Sequence, residues 1–147
     1  MNEARHAARF AAVQALYQME LTGADSATVA DEFLRYRFGC DDILPSEPDE
    51  EFFAAILNGV PAHQAEIDTA IAGCLAEGWR LSRVDSILRA ILRGGAFELI
   101  VRLEVPAKVV IDEYVELAHM FFSGDEPAFA NAALDRLARA RRAAEFG

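Results

Sequence analysis

The sequence predicts an all-α fold, a compact bundle of about seven helices. Apolar residues recur at helical i, i+3, i+4 spacing through most of the 147 residues, between start and stop signals. The one strand-like run, Val109 to Ile111, is embedded in that helical periodicity. No repeat of about 20 to 50 residues and no heptad array is present, which points to a bundle rather than a solenoid or a coiled coil.

The elements follow in order. A first helix is expected from about Ala4 to Leu21, stopped near Gly23. Asp25 or Ser26 can cap a second, which ends by Gly39. Residues 40 to 48, with Pro45, Ser46 and Pro48, read as the one long loop. A third helix is expected from Asp49 to Asn58-Gly59. Pro61 suits the first position of a fourth, because the N–H that proline lacks is unsatisfied there in any case. Gly78 and Trp79 break that fourth helix. Ser82 to Asp85 has the Ser-x-x-acid form of a capping box. The fifth helix follows, with Ile87, Leu88, Ile91, Leu92 and Leu99 on its buried face. Gly94-Gly95 lies inside it, and each glycine costs about 1 kcal/mol relative to alanine, so the pair permits close packing or marks a break. Pro106 opens a sixth helix with Val110, Val115, Leu117, Ala118 and Phe121 as apolar positions. Ser123 to Pro127 separates it from a seventh, lined by Phe129, Ala133, Leu134 and Leu137.

Composition narrows the function classes. Hydrophobic residues make up 53% and charged residues 26%, the balance of an ordinary globular chain. No apolar run approaches the roughly 18 to 20 residues that span a bilayer. Arg5, His6 and Arg9 interrupt the N-terminus where a signal peptide would be apolar, so the expected compartment is the cytoplasm. Cys40 and Cys74 read as reduced thiols, not a disulfide or a metal pair. His6, His63 and His119 have no metal-ligand spacing, and there is no phosphate-cradling glycine loop and no GxSxG. Neither an enzyme nor a cofactor is expected.

The formal net charge of −10 argues against indiscriminate coating of nucleic acid, so any nucleic-acid site must be local. Two places qualify. Arg5 and Arg9 stand one turn apart at the start of the first helix, and the first ten residues carry a net of about +2. Arg136, Arg139, Arg141 and Arg142 form a second cluster at the other end. Arg5 and Arg9 read either as a solvated helix end or as neighbouring phosphate contacts. Tyr17 and Phe129 read either as core or as faces for stacking of unpaired bases. Asp125 is most simply a helix-start acid that favours the dipole, and Asp85 the third-position member of the capping box.

Four segments move this balance. They are Ala12-Val13-Gln14-Ala15-Leu16-Tyr17, then Arg83-Val84-Asp85-Ser86-Ile87-Leu88-Arg89 leading to Ala96-Phe97-Glu98-Leu99, then Val105 to Ala118, and then Phe129-Ala130-Asn131-Ala132-Ala133-Leu134-Asp135. In this order, over about Arg5 to Leu137, the chain resembles the NusB family of transcription antitermination factors.

The resemblance implies one NusB-like RNA-binding domain over residues 1–147, built of two packed helical subdomains. It implies a non-enzymatic role: binding boxA RNA of ribosomal RNA leader transcripts together with NusE, a small-subunit ribosomal protein, within an RNA polymerase antitermination complex. The family's arginine-rich motif falls on Arg5, His6, Ala7, Ala8 and Arg9. The fullest motifs have arginine at the places of His6 and Ala7, so the expected RNA affinity is lowered. Gln14 lies in the same RNA-facing helix. Tyr17 matches the aromatic near its end, and Asp125 and Phe129 match an acidic–aromatic pair near bound RNA. Asp85 matches an acidic position facing NusE. His119, Ala130 and Ala132 depart from the usual residues as packing variation. NusB-like domains also occur fused to ribosomal RNA methyltransferases, for which 147 residues leave no room. The alternative is a protein–protein adaptor with weak or lost RNA binding, and some relatives form homodimers. On these terms Arg9→Ala is expected to weaken RNA binding while leaving the melting temperature nearly unchanged.

Overall fold

A computed structural model describes residues 2–38 and 47–146. Cys40, Pro45 and Ser46, expected in the long loop, lie outside the described residues. The chain divides into two compact units, Met1–Ala62 and His63–Gly147. Seven α-helices are present and no strand among the described residues. None is long and apolar enough to cross a membrane.

The first unit holds α1 (Glu3–Thr22), α2 (Ser26–Glu32) and α3 (Glu50–Ala62). The Asn2 side chain caps α1 by accepting from the Arg5 N–H, and Gly23 ends it at φ 74°, the left-handed region that suits glycine. Asp25 caps α2 through the Thr28 N–H, a bond that also holds the Asp25 carboxyl below its ordinary range. The expected second helix continues past Glu32 as a wider π-helical turn, Phe33–Arg37, closed by the Phe38 N–H on the Phe33 carbonyl at 2.8 Å. Buried Ala7, Ala8, Ala11, Ala12 and Ala15 let α3 pack closely on α1. Phe33, Phe38 and Phe53 make the aromatic part of this core, with ring centroids 4.9 to 6.4 Å apart.

Helix α3 runs through Asn58-Gly59, where a stop was expected, and Pro61 falls in its last turn rather than opening α4. The reason is packing. Phe53, Ile56, Leu57 and Val60 form one buried i, i+3, i+4, i+7 face, and burying Val60 offsets the poor helix propensity of the residues beside it.

The second unit holds α4 (Gln64–Ala72), α5 (Ser86–Val101), α6 (Ala107–Phe121) and α7 (Glu126–Arg141), with 3₁₀ turns at Leu81–Arg83 and Ala143–Phe146. Helix α4 stops at Gly73, short of Gly78-Trp79. Asp85, expected at the third position of a capping box, is itself the N-cap of α5. Its Oδ1 accepts from the Ile87 and Leu88 N–H groups at 2.8 and 3.3 Å. Ser82 falls in the preceding 3₁₀ turn, so the box motif is displaced by one turn.

Helix α5 packs against α4, α6 and α7. Gly94-Gly95 permits this rather than breaking the helix. A Cβ at Gly94 would sit 2.9 Å from Tyr114 Cε1, and one at Gly95 would sit 3.0 Å from Leu134 Cδ1. The Tyr114 ring is fixed, since its hydroxyl donates to buried Glu98 at 2.5 Å. The C-terminal end of α5 is capped from a distance. Arg142, 6% exposed, donates to the carbonyls of Leu99 (2.9 Å), Glu98 (2.9 Å), Arg102 (3.0 Å) and Val105 (2.5 Å). A cation at a helix C-terminus answers both the unsatisfied carbonyls and the dipole.

The basic cluster near the chain's end is therefore partnered. Arg139 pairs with Asp135, Arg141 with Glu66, and Arg136 donates to the Cys74 carbonyl. Burial pushes the Cys74 thiol up, against the nearby Arg136 and Arg141 charges, which disfavours the reactive thiolate. Arg142 also pairs with Glu145, whose carboxylate accepts from the Ala107 N–H at 2.9 Å.

Gly94→Ala should destabilise the protein by about 1–3 kcal/mol, because the Tyr114 ring cannot yield without losing its bond to Glu98. Urea unfolding followed by circular dichroism checks this. The Ala107 N–H, and then Arg142, hold the Glu145 carboxyl below its ordinary range. Its contribution to stability is therefore present above the ordinary glutamate pKa and fades as pH falls through the lowered value. The melting-temperature gap between wild type and Glu145→Ala should be open at neutral pH and close in acid.

Candidate nucleic-acid interface

On α1 the burial pattern separates the expected RNA contacts. Ala7, Ala8, Arg9, Ala11, Ala12, Val13, Ala15 and Leu16 are buried. His6, Phe10, Gln14, Tyr17 and Gln18 recur at i, i+4, i+8, i+11, i+12 and are half-buried, so they form one partly open stripe. His6, Gln14 and Tyr17 are thereby brought to one side of the helix. Phe10, which the sequence reading passed over, completes the stripe between His6 and Gln14. At its end, Gln18 donates to Glu32 at 2.7 Å.

Arg9 is not a solvated helix end. It is 3% exposed, and its guanidinium lies 4.8 Å from the centre of the Phe52 ring on α3. Arg5, half-buried, lies 4.5 Å from the same ring. One aromatic ring thus holds both guanidiniums. Arg5 keeps a face toward solvent; Arg9 does not. This burial argues against the expectation that Arg9→Ala leaves the melting temperature nearly unchanged, since truncation removes packing as well as charge.

The second unit carries a different constellation. Asp125 is the N-cap position of α7, exposed, with no cap bond from its side chain. Phe129 follows one turn later on the same face and is half-buried. Its ring centroid lies 5.5 Å from that of Trp79, inclined by 58°. Trp79 is 56% exposed. Phe129 is therefore neither plain core nor a lone stacking face; it is half of an aromatic pair. As sequence the chain's single tryptophan signals only a helix break, yet its place between Gly78 and Arg80 in a polar turn is the one cue to its exposure. Asp85 is exposed, and both cap bonds fall on Oδ1, which leaves Oδ2 open to a partner.

Comparison with known proteins decides the family. The profile described as "NusB family" matches residues 6–139. The chain belongs to the NusB family. A curated relative, "Transcription antitermination protein NusB" of Maricaulis maris, is 53% identical over 97% of this chain and 90% of its own length. The protein of the same name from Caulobacter vibrioides is 52% identical over 94% of each chain. Among solved structures, NusB of T. maritima matches with a TM-score of 0.82 at 27% identity, over 99% of both chains. Another, described as antitermination factors NusB and NusE in complex with double-stranded RNA, matches with a TM-score of 0.77 at 22% identity over 95% of this chain, which shows the shared fold. NusB proteins are transcription antitermination factors and not a known enzyme family.

Arg9→Ala should lower stability by about 1–2 kcal/mol through loss of the desolvated contact with Phe52. Thermal unfolding of the variant beside Arg5→Ala checks it, with the larger fall in melting temperature at Arg9.

Proposed function

We propose that this chain is a cytoplasmic, non-enzymatic transcription antitermination factor. It binds single-stranded boxA RNA of ribosomal RNA leader transcripts together with NusE, within the RNA polymerase antitermination complex. The observation that carries the reading is the family match over residues 6–139, with a NusB antitermination protein 53% identical over nearly the whole chain. A structure of the same fold, described as NusB and NusE in complex with double-stranded RNA, supports NusE and RNA as classes of partner.

The residues divide the work by exposure. Arg5 offers the phosphate contact at the helix tip, with His6, Gln14 and Tyr17 beside it on the open stripe of α1. Arg9 acts behind them, holding the Phe52 ring on which Arg5 lies. In the other unit Phe129 supplies a base-stacking face, and Asp125 an acceptor for an exocyclic amine of a base. Asp85 offers its free oxygen to NusE. Few phosphate contacts on a chain of net charge −10 make weak RNA binding by itself. A basic NusE supplies the remaining affinity and is drawn to the acidic body.

A second reading, an adaptor that binds NusE without RNA, is favoured by one observation: burial of Arg9 leaves a single partly exposed arginine in the motif. A gel shift separates them. Antitermination predicts that the chain and NusE together shift boxA RNA at lower concentration than NusE alone. Arg5→Ala should then weaken that shift and reduce the log–log salt slope by about 0.7. An unchanged NusE–RNA shift on adding the chain favours the adaptor.

A further inference from the structure

We infer that Trp79 is a nucleic-acid contact in its own right: with Phe129 it forms a stacking site for an unpaired base of single-stranded RNA. This rests on the RNA-binding reading above and extends it to a residue that carries no assigned role. A tryptophan more than half exposed, with its ring beside a second aromatic, holds a large apolar surface in water. Both indole and phenyl have open area, and the 58° angle between them makes a corner rather than a closed stack. A planar base can lie against the indole with its edge at the phenyl ring.

The corner is built in advance. Gly78 adopts φ 89°, a left-handed conformation that side chains disfavour, and the Trp79 N–H donates to the Ala76 carbonyl at 3.0 Å. The following turn is clamped by buried Arg89, which donates to the carbonyls of Leu81 at 3.1 Å and Val84 at 2.5 Å. The preceding turn is tied to α7 by Arg136 on the Cys74 carbonyl at 3.1 Å. The indole is therefore held on an ordered turn against the helix that carries Phe129, and little ordering is left to be done on binding.

Charge selects the occupant. Arg80 and Arg83, both exposed, sit within four residues of Trp79 on the same segment of a strongly acidic chain. Aromatic faces interleaved with arginines suit a single strand: bases stack, and the guanidiniums meet the phosphates between them. A partner lacking phosphates gains only the apolar contact.

Trp79 is the chain's single tryptophan, so intrinsic fluorescence reads this site alone. Titration of the full chain with short single-stranded boxA RNA should quench and shift the indole emission. Trp79→Ala should weaken RNA binding about tenfold in a gel shift with NusE present, within the range for loss of one base–aromatic stack. Trp79→Phe should retain most of the affinity, and both variants should keep the wild-type helical signal and NusE binding. RNA bound with wild-type affinity by Trp79→Ala, with indole emission unchanged in the wild type, overturns the inference while leaving the antitermination reading standing. A NusE–RNA shift left unchanged on adding the wild-type chain removes that reading and the inference with it. An emission change on adding NusE without RNA, taken as a difference against NusE alone, with none on adding RNA, assigns the corner to protein contact and also overturns it.

Discussion

The close approach at Gly94-Gly95 is the constraint on which the second unit depends. Where α5 meets Tyr114 of α6 and Leu134 of α7, no side chain fits, and the missing Cβ atoms let three helices approach one line. The glycine cost to helix propensity, about 1 kcal/mol each, is offset by the burial this permits. Polar groups drawn into the same core are satisfied there. Tyr114 donates to Glu98, and Arg142 closes the carbonyl end of α5. Because Leu134 seats α7 on α5, Phe129 is set earlier along α7, beside Trp79. Arg89, also on α5, clamps the turn that follows Trp79. The aromatic corner is thus a consequence of how the core packs.

The first unit solves a different problem: placing positive charge at a helix start while burying most of that helix. Alanines on α1 let α3 come close, and Phe52 then lies beneath both guanidiniums. Arg9 is desolvated and acts through packing, while Arg5 keeps contact with water. An arginine-rich motif therefore need not deliver one phosphate contact per arginine. In a chain of net charge −10, this division leaves little exposed positive charge at the start of α1, which is the basis for proposing that a basic partner supplies part of the RNA affinity.

Seven helices were legible because amphipathic periodicity and capping chemistry are local, and Asn2, Asp25 and Asp85 all cap through their own side chains. The boundaries that shifted did so where packing outweighed a local signal. Val60 carried α3 past a glycine and into a proline, and Asp85 capped α5 directly instead of serving a serine three residues earlier. Of the site, the open stripe of α1 was legible in part, since His6, Gln14 and Tyr17 share one periodicity. Phe10 was hidden by looking like core.

By itself the sequence determined the all-helical class, the family, and the residue types from which an RNA contact can be made, because each is written in short-range spacing and motif order. The tertiary structure alone decided which charges and rings face outward. Arg9 and Arg142 are basic in composition yet buried, since Phe52 and the Leu99 carbonyl near the end of α5 offer them partners that each lie 43 residues away in the chain. Trp79 reads as a helix breaker yet stands exposed against Phe129, since only the packing of α7 on α5 brings those two rings together.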